Sequence, residues 1–255
     1  MTNSLFHITL IIFIFLINYL FKKKNILTNN TGQAHQSFTL KEQVPLSGGL
    51  FLLIFFYFNY DFFSFNLIFY FSLFYLIGLF ADLGTVKSPS IRFFFQIIIL
   101  LMMIIDLDIS IYDIRIDFLN NFLKNYFFQI FFVLYCFLVL INGANFIDGN
   151  NGISIGYFLI IFLVLFNLIA NQIIFFEKIL IISFIYLLII LLIFNLFNKL
   201  YLGDNGIYLL SVFSGYLLIQ VFNTNSFLTP YFIVNLLWYP AFEILFSLLR
   251  KLMFH

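Results

Sequence analysis

Long apolar runs recur along the whole chain and constrain its fold more than any other feature. They are about 15–22 residues long, which is the length a helix needs to cross the hydrocarbon core of a bilayer. Apolar residues make up 64% of the 255 residues and charged residues 9%, whereas a soluble domain is about a quarter charged. The sequence therefore predicts an all-α fold, a polytopic bundle of transmembrane helices.

The runs predict about nine spans, at residues 5–21, 47–60, 65–80, 92–105, 126–142, 153–170, 173–194, 206–222 and 231–249. The first run lacks the small-residue cleavage site of a signal peptide, so we interpret it as an anchor. No internal repeat or low-complexity linker interrupts the pattern. We therefore expect residues 1–255 to form one integral-membrane domain.

The distribution of Lys and Arg predicts the orientation of the spans. Alternate loops and adjoining helix ends carry nine of the 12 basic residues, and the opposite side carries three: Arg115, Lys124 and Lys178. This bias predicts that the basic loops are cytoplasmic and that the N-terminus is outside. A net charge of +1 gives no electrostatic case for a nucleic-acid partner. A single cysteine, Cys136, excludes disulfides within the chain and cysteine metal sites.

Residues 106–117, on the predicted outer side, alternate Asp with Ile, Leu or Tyr. A period of two is typical of a β-strand with one polar face. The alternation predicts a short amphipathic strand or hairpin at the membrane interface.

The third basic loop, residues 142–152, reads NGANFIDGNNG. Asn142, Asn145 and Asp148 are spaced by three, which places them on one face of a helical turn. A helix C-cap followed by an Asn-Gly turn would also explain part of this composition. A cap needs only one such residue, however, and here eight of eleven positions are polar or Gly.

The fourth basic loop, residues 201–206, reads YLGDNG between two strongly apolar runs. Asp204 is a suitable N-cap for the following helix. A carboxylate flanked by Gly at the membrane face also suits Mg²⁺, which takes one or two carboxylates and fills its other positions with water and phosphate. The sequence leaves both roles open.

The first two basic loops carry weaker signals. The second holds Asp82 in the segment GLFADLG, followed by Arg92 and Gln96. The first holds Lys41 and the segment PLSGG at residues 45–49, which is typical of a helix entry with close packing. Asp82, Asp148 and Asp204 thus leave separate helices on one predicted face, together with basic groups. Such a set, with a divalent ion, is what phosphoryl transfer requires.

In these segments the chain resembles the polyprenyl-phosphate N-acetylhexosamine-1-phosphate transferases, a family that includes undecaprenyl-phosphate GlcNAc-1-phosphate transferase and phospho-MurNAc-pentapeptide transferase. The residues that carry the resemblance are NGANFIDGNNG (142–152), LGDNG (202–206), GLFAD (78–82) with Arg92 and Gln96, PLSGG (45–49), and Pro240 with Glu243 and Arg250. The segment NFIDG is specific, whereas PLSGG and GLFAD would be weak without it.

The resemblance implies a reaction and its participants. A sugar 1-phosphate would pass from a UDP-N-acetylhexosamine to undecaprenyl phosphate, with release of UMP, in the bacterial inner membrane. It implies Mg²⁺, or Mn²⁺ in its place, as the cofactor. A homodimer is compatible with the sequence.

The resemblance also implies roles for individual residues. Asp204 and Asn195 would hold the metal, and Asp82 and Asp148 would be catalytic, with Asp148 in the loop that helps to bind the nucleotide. The remaining implied substrate-binding residues are Lys41, Arg92, Asn142, Asn145 and Asn151, of which Lys41 and Asn151 would contact uracil.

The sequence departs from the family pattern in three places. Ala81 stands where the family has the first of two adjacent aspartates, and Asn151 replaces an acid of the nucleotide loop. The third departure is at the C-terminus, where we expect the His-rich loop and the last span or spans to be lacking beyond His255. The first and third departures favour an alternative, a catalytically degenerate paralogue that binds lipid phosphate or a partner. A transporter is disfavoured, because the acids lie at helix ends rather than at mid-span.

Overall fold

The computed structural model describes residues 2–28, 43–149 and 152–253, and these residues form helices joined by short connections. The helices are α1 (Thr2–Lys24), α2 (Gly48–Phe58), α3 (Phe65–Asp82), α4 (Pro89–Asp106), α5 (Asp117–Leu123), α6 (Tyr126–Ile147), α7 (Ile153–Ala170), α8 (Lys178–Leu196), α9 (Gly203–Thr224) and α10 (Pro230–Met253). The described part of the chain contains no β-strand, so the predicted all-α class is confirmed.

Seven of the helices in the described residues, α3, α4 and α6 to α10, are long and apolar enough to cross a membrane. Helix α2 has 11 residues, or about 16 Å, and is short for a crossing of its own. Large apolar side chains such as Phe65 and Leu252 stay exposed on the outside of the bundle. The chain is therefore a multi-pass membrane protein, while the count of nine spans and the orientation stay predictions.

Several helices run about one turn further into the polar motifs than the apolar pattern predicts. Helix α3 ends at Asp82, and α9 begins at Gly203. Helix α6 continues to Ile147, through the first half of the Asn-rich motif at residues 142–152. Helical backbone hydrogen bonds do not depend on apolar side chains, so a helix continues wherever its polar residues find partners. Part of each of these motifs is consequently held on the end of a helix.

The strand or hairpin predicted for residues 106–117 was wrong. Helix α4 ends at Asp106, the chain then runs without regular structure, and α5 begins at Asp117. The Asp113 carboxylate accepts from the amide of Arg115 and from Asn120, and Asp108 and Arg115 have positive φ values of 48° and 56°. Such local side-chain bonds compete with strand pairing, and the described residues offer no partner strand.

Helix α9 is the centre of the bundle. Of an 18-residue stretch of α9, 83% is buried, whereas the corresponding value for α10 is 11%. It packs against α2, α3 and α6, while α10 lies outside against α6. The N-terminus of α9 is thus surrounded by other helix ends, and the candidate site is built there.

Candidate active site

Glycines let the first turn of α9 lie unusually close to two neighbouring helices. A Cβ on Gly78 of α3 or on Gly49 of α2 would overlap the backbone of Asn205. A Cβ on Gly48 would lie 2.8 Å from the Leu202 Cα. The weak sequence segments PLSGG and GLFAD therefore share one physical function, which is to admit the segment LGDNG between them.

Asp82 caps the N-terminus of α9 from the end of another helix. Its two carboxylate oxygens accept hydrogen bonds from the amides of Asp204, at 2.9 Å, and Asn205, at 3.0 Å. The Asn205 side-chain amide also donates to Asp82, and donates to the Leu46 carbonyl at 3.1 Å. The first amides of a helix have no partner within it, so this carboxylate satisfies them and fixes the position of Asp204.

Arg92 pairs with Asp204 across the site. The guanidinium, on the first turns of α4, donates to a carboxylate oxygen of Asp204, and both side chains are largely buried, with 10% and 15% exposed. The Arg92 Nε is buried without a hydrogen-bond partner in the described residues. The pair places one cation and one anion at the centre of the predicted site.

A second polar contact joins α4 to α6. Asn142 donates to the side-chain oxygen of Gln96, at 3.1 Å, and to the Leu138 carbonyl one turn back, at 2.8 Å. Gln96 lies one turn after Arg92 and is almost fully buried. Asn145 is partly exposed one turn further along α6. The contact therefore holds the Asn-rich motif beside the Arg92 side of α4.

Asp148 follows the last turn of α6 and accepts a hydrogen bond from the buried Ser154 hydroxyl on α7. Burial, together with the negative charge of Asp204, raises the pKa of the Asp148 carboxyl to about 7 against the opposing Ser154 hydrogen bond. The electrostatic effect of Asp204 shows that the two acids lie near each other. Asp82, Asp148 and Asp204 therefore belong to one cluster at one end of the bundle.

Asn195 links two of the predicted loops. Its side-chain oxygen accepts from the Gly152 amide at 2.6 Å, and its nitrogen donates to the Leu200 carbonyl at 3.2 Å. These bonds tie the end of the Asn-rich loop to the connection before α9. The metal role implied for Asn195 stays a prediction, and in this structure its oxygen faces a backbone amide. Lys41 and Asn151 lie outside the described residues.

Several residues that support the site were not predicted from the sequence. Asn18 of α1 accepts from the Ser47 hydroxyl at 2.6 Å and donates to the Lys199 carbonyl at 3.1 Å. The Gly48 amide donates to the Tyr201 carbonyl at 3.0 Å, which closes this seam. A single polar residue in an apolar run, such as Asn18, is the only hint that the sequence offers.

Pro240 and Tyr157 fix the outer wall of the site. Pro240 has no amide hydrogen, so the Leu236 carbonyl four residues earlier loses its helical partner. The Tyr157 hydroxyl donates to that carbonyl. A Cβ on Gly143 would overlap the Pro240 carbonyl, so α6 and α10 touch backbone to backbone at this level. Tyr157 thus satisfies the break in α10 and holds it beside the end of α6.

The negative charge of the candidate site suits a divalent cation, but the described side chains do not form a complete set of metal ligands. Within the described residues, no three His, Cys, Asp or Glu side chains form a metal site by themselves. Mg²⁺ needs only one or two carboxylates, with water and phosphate supplying the rest. In the part of the chain that the structure describes, the cluster sets Asp82, Asp148 and Asp204 against Arg92, which leaves an excess of negative charge when all four are ionised. A cation would therefore be attracted to this end of the bundle.

Fold and site together define a class: a multi-pass helical membrane protein whose acids, amides and one guanidinium meet where the helices end. The sequence comparison then gives the family. A model of glycosyl transferase family 4 matches residues 64–222, more than half of the chain, and contains Asp82, Arg92, Asp148 and Asp204. The chain belongs to this family, that of the polyprenyl-phosphate hexosamine-1-phosphate transferases, so the resemblance found in the sequence is confirmed. No curated protein sequence matches the chain.

Proposed function

We propose that the protein transfers an N-acetylhexosamine 1-phosphate from a UDP-sugar to undecaprenyl phosphate, releasing UMP, as the first step of a lipid-linked cell-surface polysaccharide. Family membership supports a nucleotide-sugar donor and a lipid-phosphate acceptor in general. The observation that carries the proposal is the Arg92–Asp204 pair at the N-terminus of α9, with Asp82 and Asp148 around it. The basic-loop bias supports a site on the cytoplasmic face of the bacterial inner membrane.

The proposed reaction is a displacement at phosphorus. An oxygen of the lipid phosphate forms a new bond to the β-phosphorus of the UDP-sugar, and the bond from that phosphorus to the α–β bridging oxygen breaks. UMP leaves with the bridging oxygen and both electrons of that bond. A phosphate monoester is largely ionised near neutral pH, so the attacking oxygen need not lose a proton. The protein's part is therefore positioning and charge stabilisation.

The contacts suggest how the residues divide this work. Among the described residues of the cluster, Arg92 is the cation available to a phosphate, and a fork of guanidinium donors suits phosphate oxygens. Asp204 and, near it, Asp148 would hold Mg²⁺, which supplies Lewis-acid stabilisation of the phosphoryl oxygens when bound. Asp82 acts on the site through the backbone of α9, so we propose a positioning role for it. Asn142, Asn145 and Asn195 would shape the nucleotide side.

An assay of UMP release tests this proposal. Purified protein in detergent is given undecaprenyl phosphate, a panel of UDP-N-acetylhexosamines and Mg²⁺. We expect UMP release with at least one donor, and a fall of about 100-fold or more in Asp204→Asn, because stabilisation of transition-state charge is lost. Lys87→Gln, which removes an exposed charge in the loop before α4, is the matched control and should retain activity.

A melting measurement on each variant separates chemistry from folding, because Asp204→Asn also leaves Arg92 buried without its partner. Full UMP release by a folded Asp204→Asn protein would contradict the proposal.

Ala81 favours a second candidate, a catalytically degenerate protein that binds lipid phosphate without turnover. Ala81 is buried beside Asp82 and brings no carboxylate to the site. In that case no donor of the panel would release UMP from wild-type protein, while radiolabelled undecaprenyl phosphate would still bind. Binding should then fall in Arg92→Gln. Turnover by the wild type excludes this second candidate.

A further inference from the structure

The guanidinium of Arg92 contacts the Asp204 carboxylate, to which the proposed function assigns a divalent cation. The Asp204 side chain is only 15% exposed, and Arg92 contacts it directly. An Arg⁺ and a metal ion at the same carboxylate oxygen repel each other, so each weakens the binding of the other. The contact therefore raises the question of whether a cation displaces Arg92 from Asp204, which the proposed function alone does not answer.

The other acids of the cluster have different partners. Both oxygens of Asp82 accept from the first turn of α9, and Asp148 accepts from Ser154. The described residues record one salt bridge, the pair of Arg92 and Asp204. Within the described residues, Arg92 therefore pairs with no acid other than Asp204. If Arg92 leaves Asp204, an incoming anion would be its new partner.

One hydrogen-bond donor of Arg92 is also unsatisfied in the described part of the chain. Its Nε is buried and has no hydrogen-bond partner among the described residues. A buried donor without a partner has lost the hydrogen bonds it made with water and is therefore destabilising, more so when it is charged. A buried ion pair gains little net stability, because desolvation offsets the attraction. The Arg92–Asp204 contact can therefore be replaced by other partners that satisfy the guanidinium and the carboxylate more fully.

We propose that Arg92 is an internal counter-ion that competes with a divalent cation for Asp204. Cation binding and release of the guanidinium are one exchange, and the released guanidinium is completed by an oxygen of the donor's phosphates. The inference rests on the proposed function for the identity of that anion. The exchange itself is a property of the chain and the cation, and it can be measured without turnover.

Mn²⁺ binding tests the exchange directly. Unbound Mn²⁺ is measured by electron paramagnetic resonance in solutions of the purified full chain in detergent, without nucleotide. Arg92→Gln removes the competing cation, so it should bind Mn²⁺ about tenfold more tightly than wild type, within the usual range of coupling between two sites. Lys87→Gln removes the same charge from an exposed position and should change the affinity less than about twofold, because solvent screens it. Asp204→Asn should bind no Mn²⁺ at this site.

A double-mutant cycle gives a second measurement that does not require tight metal binding. The melting temperatures of wild type, Arg92→Gln, Asp204→Asn and the double variant are compared in EDTA and in saturating Mg²⁺. Na⁺ is added to the EDTA samples to match the ionic strength. We expect the coupling between the two residues to be clear in EDTA and to shrink in Mg²⁺, because the exchange removes their contact.

The outcomes separate this inference from the proposed function. Unchanged or weaker Mn²⁺ affinity in a folded Arg92→Gln protein, or equal coupling in EDTA and Mg²⁺, would overturn the exchange and leave a static ion pair. Mn²⁺ exchange in a protein that releases no UMP would support the inference while the proposed function fails. Mg²⁺-dependent UMP release with no Mn²⁺ binding at Asp204 would overturn the inference and leave the proposed function standing.

Discussion

The two halves of α9 pack by different physical means. Its first turn lies against Gly48, Gly49 and Gly78, with backbone amides bound by Asp82. Phe213 lies about 15 Å further along the axis. There it contacts four buried phenylalanines from four other helices: Phe56, Phe71, Phe162 and Phe184.

The difference concerns how much each region depends on individual atoms. Aromatic rings at 4.7–5.9 Å between centroids gain dispersion energy in many relative orientations, and here the angles between ring planes range from 10° to 89°. The polar end depends on particular amides, one carboxylate and the absence of Cβ atoms. We infer that the phenylalanine region tolerates changes of shape, while the glycine and aspartate region does not.

The largest expected effect is at the glycine contacts. Gly78→Ala places a methyl group into the backbone of Asn205, where no side chain can move aside, so we expect a loss of about 3 kcal/mol in the free energy of unfolding. Gly156→Ala is the matched control, because its Cβ would meet nothing within 4 Å and Ala favours a helix. Unfolding in mixed micelles measures both. Equal stability of the two variants would contradict the inference that the glycine region does not tolerate changes of shape.

A change of charge without a change of size should have the next largest effect. Asp82→Asn replaces an acceptor of three N–H donors by a group that itself donates, so we expect a loss of about 2 kcal/mol. UMP release should fall as well, because Asp204 is held through this cap.

Asp106→Asn provides the control for that variant. Asp106 accepts from Asn66 at 2.8 Å, at the opposite end of α3 and α4. It is exposed, and its replacement should cost less than about 0.5 kcal/mol. If both variants lose the same stability, the cap at α9 has no special importance.

A smaller effect is expected in the phenylalanine region. Phe213→Leu keeps an apolar side chain among buried aromatic neighbours, so it should cost about 1 kcal/mol and leave UMP release unchanged. The measurement is the same unfolding assay with turnover beside it. A loss of activity in a stable Phe213→Leu protein would show that the two regions are coupled.

A pH dependence of stability is expected at Asp148. The folded state raises the pKa of this carboxyl to about 7, above that of an exposed Asp at about 3.9. The folded protein then binds more protons than the unfolded chain between about pH 4 and 7, so its stability falls as the pH rises through this window. Melting at pH 5 and pH 8 in EDTA should reveal the fall, and Asp148→Asn should reduce it. Ser154→Ala removes a bond that lowers the pKa, so it should enlarge the fall.

The predictable part of the site follows from local sequence. The spacing of Asn142, Asn145 and Asp148 indicated one helical face, and α6 does continue through Asn142 and Asn145, with Asp148 as its C-cap. The role implied for Asp82 was catalytic, yet its contacts are those of a cap on another helix. The partners of Asp82 lie 122 and 123 residues away. Nothing in the neighbourhood of Asp82 in the sequence specifies that pairing.

The supporting residues show the same limit more clearly. Asn18 contacts the carbonyl of Lys199, 181 residues later, and Tyr157 contacts that of Leu236, 79 residues later. Their partners are backbone carbonyls, which every residue possesses. A sequence pattern cannot select one carbonyl from another, so these contacts become visible only when the helices are packed.

The sequence by itself determined that the chain is a helical membrane protein, because apolar length and helical spacing act locally and leave few alternatives in a bilayer. It also determined the family, through short motifs whose residues are consecutive. Only the tertiary structure decided that Asp82 caps α9, that Arg92 holds Asp204 and that three glycines admit the segment LGDNG. Those pairings join distant parts of the chain, and they depend on how closely the helices approach one another.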